Sequence, residues 1–242
     1  MAKVVMVFDF DKTIIDCDSD NWVVEHLGVN EVFSQLLPTL SWNHLMDRMM
    51  MELHSRGKTT QDIADCLKQI PLHPRIISAI KSAHASGYHP YCYVNFVPLI
   101  SVLTVTIWLK PERCDLRIGL VMESIRKSIP GDADKLFIYV GDGTPDFCAA
   151  LQLGGTDILM PRKNFPFWEL ICNNPMLIKA NIQEWNDGME LGTILLNVSN
   201  TMITDQNSNE RPDALIPVDC KSQTASISGP DVYNRNVLPV PQ

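Results

Sequence analysis

Apolar and polar positions follow two different rhythms along this chain. Lys3 to Phe10 is a nearly continuous apolar run that stops abruptly among acidic residues. Such a run predicts a parallel strand buried on both faces, with its carboxyl end opening into a site. From Asp20 to Ile70 the rhythm becomes helical. Val32, Leu36 and Leu37, then Leu45, Met46, Met49, Met50 and Leu53, recur at helix spacing, which predicts a small helical block with its own core. Ser41-Trp42-Asn43 resembles a helix start. Pro71 and Pro74 break the block, and Arg75 to Ser86 predicts a helix closed by Gly87.

Further on, Leu116–Ser128 predicts a helix and Lys135–Val140 a second short apolar strand. Ala149–Leu153 suggests a short helix, Asp157–Met160 a last strand, and Phe165–Trp185 one or two helices. Strands alternating with helices predict an α/β fold, a Rossmann-type parallel sheet with right-handed crossovers and a small helical cap inserted after the first strand. The expected boundaries are 1–16 and 75–196 for the core, 17–74 for the cap and 197–242 for a polar tail, disordered from about 203.

One stretch interrupts this picture. Tyr91–Leu109 is nineteen residues without a charge, long enough to cross a bilayer. Its Asn95, Pro98, Ser101, Thr104 and Thr106, with its many β-branched and aromatic residues, favour two buried strands. A membrane-anchored form is the rival reading.

Composition narrows the function. With 45% apolar and 20% charged residues in 242, the chain is globular and long enough to bury a core. A net charge of −8 argues against nucleic acid and anionic membrane surfaces as partners. It also means that a site for an anionic substrate needs a metal cation. The seven cysteines form no C-x-x-C pair, so they read as reduced thiols of a cytoplasmic protein. The N-terminus has none of the features of a signal peptide.

The candidate chemistry lies at two strand ends, FDFDKT at 8–13 and YVGDGTPD at 139–146. Asp9 and Asp11, two apart on a strand, point to the same side. Adjacent strands of a doubly wound sheet would bring them to Asp142 and Asp146. Carboxylates so close resist joint ionisation unless a hard cation lies between them. Mg²⁺ suits such a site because it takes oxygen ligands and bridges carboxylates to phosphate oxygens. One carboxylate could then attack phosphorus while the other handles the proton.

FDFDKT followed by VGDGTPD resembles the first and fourth motifs of the haloacid dehalogenase (HAD) superfamily of aspartyl-phosphate phosphatases. DFDKTIIDCDSDNW, PTLSWNHLMDRMMMELH and MPRKNFPFWEL resemble its phosphoethanolamine/phosphocholine phosphatase branch. Within that branch, the resemblance is nearest to the plant phosphate-starvation enzymes that hydrolyse pyrophosphate and to their thiamine-phosphate-cleaving relatives. It implies a HAD-like fold and a phosphohydrolase acting on a small phosphorylated metabolite or pyrophosphate. It also implies Asp9 as nucleophile and Asp11 as proton donor. Mg²⁺ would be held by the Asp9 side chain, the Asp11 backbone carbonyl and Asp142, with Asp146 in support. Asp20 and Asn95 would contact substrate, and Asp16 and Asp18 would shape the hinge or cap a helix.

The chain departs from the family pattern in two places. The hydroxyl expected in the second motif falls on Val94, and the lysine expected before Gly119 falls on Ile118. Arg117 is adjacent but projects about 100° away on a helix. A cysteine-rich insertion between these motifs is absent. Local drift or an altered splice junction would produce the same sequence. The alternative function is therefore a catalytically impaired paralogue that still binds Mg²⁺ and phosphate ligands.

Overall fold

The computed structural model describes residues 3–85, 89–92, 117–128 and 135–205. Its centre is a five-stranded, wholly parallel sheet. The strands are β1 (Lys3–Phe8), β2 (His89–Cys92), β3 (Lys135–Gly141), β4 (Ile158–Pro161) and β5 (Asn181–Ile182), in the spatial order β2-β1-β3-β4-β5. β1 and β3 are hydrogen-bonded neighbours from Lys3 opposite Lys135 to Phe8 opposite Val140. A single membrane crossing between these strands would forbid that pairing. Tyr91 and Cys92 lie in β2, and the rest of the uncharged run is outside the described residues. None of the described helices is long and apolar enough to cross a membrane.

Strand alternation divides the core in two. Val5, Val7, Phe137 and Tyr139 face one layer, formed by α6 (Arg117–Ser128), α7 (Asp146–Ala150) and α8 (Pro166–Asn173). Val4, Met6, Phe8, Ile138 and Val140 face the other, formed by α5 (Pro74–Ala85) and α9 (Gly188–Asp205). Both faces are covered, which is why β1 and β3 read as unbroken apolar runs.

α9 continues to Asp205, nine residues past the expected end of the core at 196. Its Leu191 and Leu195 are buried against the sheet, so packing sustains a helix that its Asn and Thr content conceals. β5 has only two residues and was not expected. α5 and α9 pack closely enough that a Cβ at Gly192 would stand 2.8 Å from the Arg75 backbone. We expect Gly192→Ala to lower stability by about 1–3 kcal/mol, measurable as a shift of the urea midpoint at unchanged slope.

The helical insert holds α1 (Ser19–His26), α2 (Asn30–Leu36), α3 (Trp42–Ser55) and α4 (Thr60–Leu67). Its apolar cluster of Val23, Val24, Val29, Phe33, Leu45, Met49, Leu53, Ile63 and Cys66 contains no residue of the sheet. Leu45, Met49 and Leu53 are fully buried, whereas Leu37 is exposed. Gly28 (φ 77°) and Gly57 (φ 76°) close α1 and α3 in the left-handed conformation. Thr59 and Asp62 cap α4 reciprocally. The chain enters and leaves the insert side by side, because Ile15 and Leu72 form an antiparallel bridge.

Candidate active site

Asp9 follows β1, and its N–H donates to the Val140 carbonyl at 2.8 Å. Asp142 follows β3, so the two carboxylates leave neighbouring strands at the carboxyl edge of the sheet, where such folds bind ligands. Both are buried. Thr13 Oγ1 donates to Asp142 Oδ1 at 3.3 Å.

Asp146 opens α7 and is 2% exposed. Its Oδ1 accepts from the Tyr139 hydroxyl at 2.6 Å, and its Oδ2 accepts from the N–H groups of Asp142 and Gly143 at 2.9 and 2.8 Å. The carboxylate therefore clamps the turn that carries Asp142 from the inside. Gly141 leaves room for this, since a Cβ there would overlap Asp146 Oδ2. Oxygens of Asp9, Asp142 and Asp146 lie within 4.8 Å of one another.

Asp11 lines the same cavity of about 150 Å³. Its Oδ1 accepts from the Ser19 N–H at 3.0 Å and its Oδ2 from the Ser19 hydroxyl at 3.1 Å, tying it to the first turn of α1. Asp20 is not among the residues lining the cavity. Its Oδ2 accepts from Trp42 Nε1 at 3.2 Å, joining α1 to α3. Asn95 and Val94 lie outside the described residues, and Ile118 falls in the first turn of α6.

Two cationic residues beside these acids, Lys12 and Arg162, complete the surroundings of the site. Lys12 has a left-handed backbone (φ 53°) and pairs with Asp18 at 2.6 Å. Asp18 occupies the N-cap position of α1 without making a side-chain capping bond. Arg162, only 8% exposed, donates to the Lys12 carbonyl at 2.6 Å, the Asn186 carbonyl at 3.2 Å and Asp16 at 2.7 Å. Its guanidinium lies over Phe165 at 4.3 Å. Asp16 thus serves as partner to an arginine 146 residues away. The one sequence signal for Arg162 is its place in MPRKNFPFWEL.

Burial dominates the electrostatics. It pushes Asp9 well above the ordinary carboxylate range, helped by the charges of Asp146 and Asp142. Burial also raises Asp142, against the pull of Lys12. Asp146 is pushed up to about 7 despite its hydrogen bonds, and Asp11 to about 6 despite Ser19. Asp20 is raised to about 7 by burial and by the charge of Asp11.

Buried carboxylates this close to one another favour a cation among them. The donor set is all oxygen, which fits a hard divalent cation. The hydrogen bonds to both oxygens of Asp146 leave Asp9 and Asp142 as the side chains best placed to hold it.

A testable consequence concerns pH. Raised carboxyl pKa values mean that the folded chain holds protons the unfolded chain has lost. Between the unfolded value near 4 and the folded values of about 7, these groups stabilise less as pH rises. For cation-free protein we expect a lower thermal midpoint at about pH 7.5 than at about pH 5, with a divalent cation narrowing the difference. A midpoint that climbs steadily over that range would count against a buried acid cluster.

Comparison with known proteins agrees with the geometry. The chain is 38% identical over 275 aligned positions to inorganic pyrophosphatase 2 of Arabidopsis thaliana, covering 95% of this chain and 97% of that one. It is 42% identical over 245 positions to the thiamine phosphate phosphatase-like protein of the same plant, covering 86% and 100%. The human phosphoethanolamine/phosphocholine phosphatase is 23% identical over 232 positions, covering 78% and 86%.

Among solved structures, a substrate-bound phosphoserine phosphatase superposes with a TM-score of 0.55 at 16% identity, covering 81% of this chain and 98% of that one. This likeness shows the fold. The Putative Phosphatase family matches residues 4–95 and 112–199. The gap at 96–111 takes in most of the uncharged run and the two residues after it. With more than half of its length matched and close plant relatives along nearly all of it, the chain belongs to the Putative Phosphatase family and is a phosphate hydrolase with a HAD-like fold.

Proposed function

We propose that this phosphate hydrolase is a Mg²⁺-dependent inorganic pyrophosphatase working through an aspartyl-phosphate, with residues 17–74 as the cap that selects substrate. The supporting observation is the placement of Asp9 and Asp142 at the ends of hydrogen-bonded strands, with Asp11 in the same cavity. Substrate preference follows the plant relatives. Phosphocholine, phosphoethanolamine and thiamine monophosphate rank after pyrophosphate.

Asp9 Oδ attacks phosphorus in line, and the bond from phosphorus to the leaving oxygen breaks as Asp11 donates a proton to that oxygen. Water then attacks the same phosphorus and gives a proton to Asp11, releasing phosphate and restoring Asp9. With its carboxyl at about 6, Asp11 exchanges protons near neutrality more readily than an ordinary aspartate. Ser19 holds it in one orientation. Mg²⁺, held by Asp9, the Asp11 backbone carbonyl and Asp142, would neutralise charge on the phosphoryl oxygens. Asp20 and Asn95 are the proposed substrate contacts of the cap and core.

The test is turnover of the four compounds by purified protein with and without Mg²⁺. We expect pyrophosphate to be hydrolysed fastest and only with the cation. A second reading, an impaired paralogue that binds Mg²⁺ and phosphate without turnover, is motivated by Val94 and Ile118, which stand where the family pattern has a hydroxyl and a lysine. No turnover of any of the four would decide for it.

A further inference from the structure

The cavity wall is unbalanced in charge. Asp9, Asp11, Asp18, Asp142 and Asp146 line it, and Lys12 is the one cationic side chain among the described residues that does. An anionic substrate entering this space meets several carboxylates and a single ammonium. That ammonium is already engaged, with Nζ 2.6 Å from Asp18 Oδ2.

The two ends of Lys12 differ. Its backbone is fixed, since the N–H donates to the Cys17 carbonyl at 3.0 Å and its own carbonyl accepts from Arg162 at 2.6 Å. Its side chain is 43% exposed and swings on a four-carbon stem. A left-handed residue is most easily a glycine or asparagine, yet a lysine stands here with its charge at the cavity. Its partner Asp18 is 23% exposed and immediately precedes α1. A partly exposed pair of this kind is weak enough to exchange partners.

We propose that Lys12 is the cationic contact for the phosphate group of the substrate and that Asp18 is its resting counterion, displaced when phosphate binds. Asp18 is then an internal competitor of the substrate. The pair restricts this ammonium to ligands with enough negative charge to displace a carboxylate, namely phosphate dianions and diphosphates. The proposal rests on the phosphate-handling site described above but not on turnover.

The opposite signs expected of two substitutions test it. The probe is inorganic phosphate, titrated calorimetrically into the full chain with Mg²⁺ present. Lys12→Met should weaken binding about tenfold, the worth of one charged contact. Lys12→Arg should stay within about threefold of wild type, and Asp18→Asn should tighten binding about three- to tenfold. In the Lys12→Met background, Asp18→Asn should change nothing, because the competitor has no ammonium left to mask.

If the pair only braces the loop against α1, Asp18→Asn and Lys12→Met should shift affinity in the same direction and lower the thermal midpoint together. That result, an unchanged affinity in Lys12→Met, or no phosphate binding by wild-type protein overturns the proposal. Loss of turnover on every substrate with the opposite-sign binding pattern intact would overturn the proposed enzymatic function instead.

Discussion

Asp9→Asn should abolish turnover, lowering kcat by on the order of 10⁴-fold or more, while leaving the protein at least as stable as wild type. The catalytic loss follows from replacing the attacking oxyanion by a neutral amide of the same shape. The stability argument is independent. Asp9 is 8% exposed and raised well above the ordinary carboxylate range by burial and by Asp146 and Asp142. Removing its charge therefore relieves a repulsion that cation-free protein carries near neutrality. A higher thermal midpoint without added cation, together with loss of hydrolysis, is the expected pair of observations. Wild-type turnover would remove Asp9 as the nucleophile, and a large drop in midpoint would mean that its role is structural.

Asp146→Ala should act the other way, costing about 2–4 kcal/mol of stability. The substitution removes the acceptor of the Tyr139 hydroxyl and of the N–H groups of Asp142 and Gly143. Losing the partner of a buried donor costs about 1–3 kcal/mol, and loss of one like charge beside Asp9 and Asp142 returns part of the total. The turn that aims Asp142 loosens as well, so the affinity for Mg²⁺ should fall about 10- to 100-fold. Urea denaturation and a Mg²⁺ titration measure the two effects separately. A variant with wild-type stability and cation affinity would show that the clamp is dispensable.

These two aspartates were legible in the sequence for different reasons. β1 and β3 announce themselves because burial on both faces demands unbroken apolar runs, and the acids that end those runs are conspicuous. The spacing of Asp9 and Asp142 from those runs placed them at adjacent strand ends. The role of Asp146 as a clamp needs Tyr139, whose hydroxyl could equally have faced any other polar atom.

What sequence concealed is mostly long-range. Arg162 anchors Lys12 across 150 positions and Asp16 across 146, distances at which spacing carries no signal. Asp18 has a residue type suited to capping and the right position for it, but Lys12 is a stronger partner for a carboxylate than an N–H at that helix start. α9 was hidden by its composition: its polar residues resemble a tail, while Leu191 and Leu195, with Ile194, Leu196 and Val198 beside them, pack on the core beneath. β5 is too short to show a period.

The self-contained apolar cluster of the helical insert has a consequence for how this protein can change. Since no sheet residue contributes to that cluster, mutations that repack it need no compensating change beneath the cavity carboxylates. Its described polar ties to the loop of Asp11 and Lys12 run through Ser19 on Asp11 and through the Cys17 carbonyl and Asp18 on Lys12, all within one short stretch of chain. A lineage could therefore exchange nearly the whole insert by preserving that stretch and the Ile15–Leu72 seam.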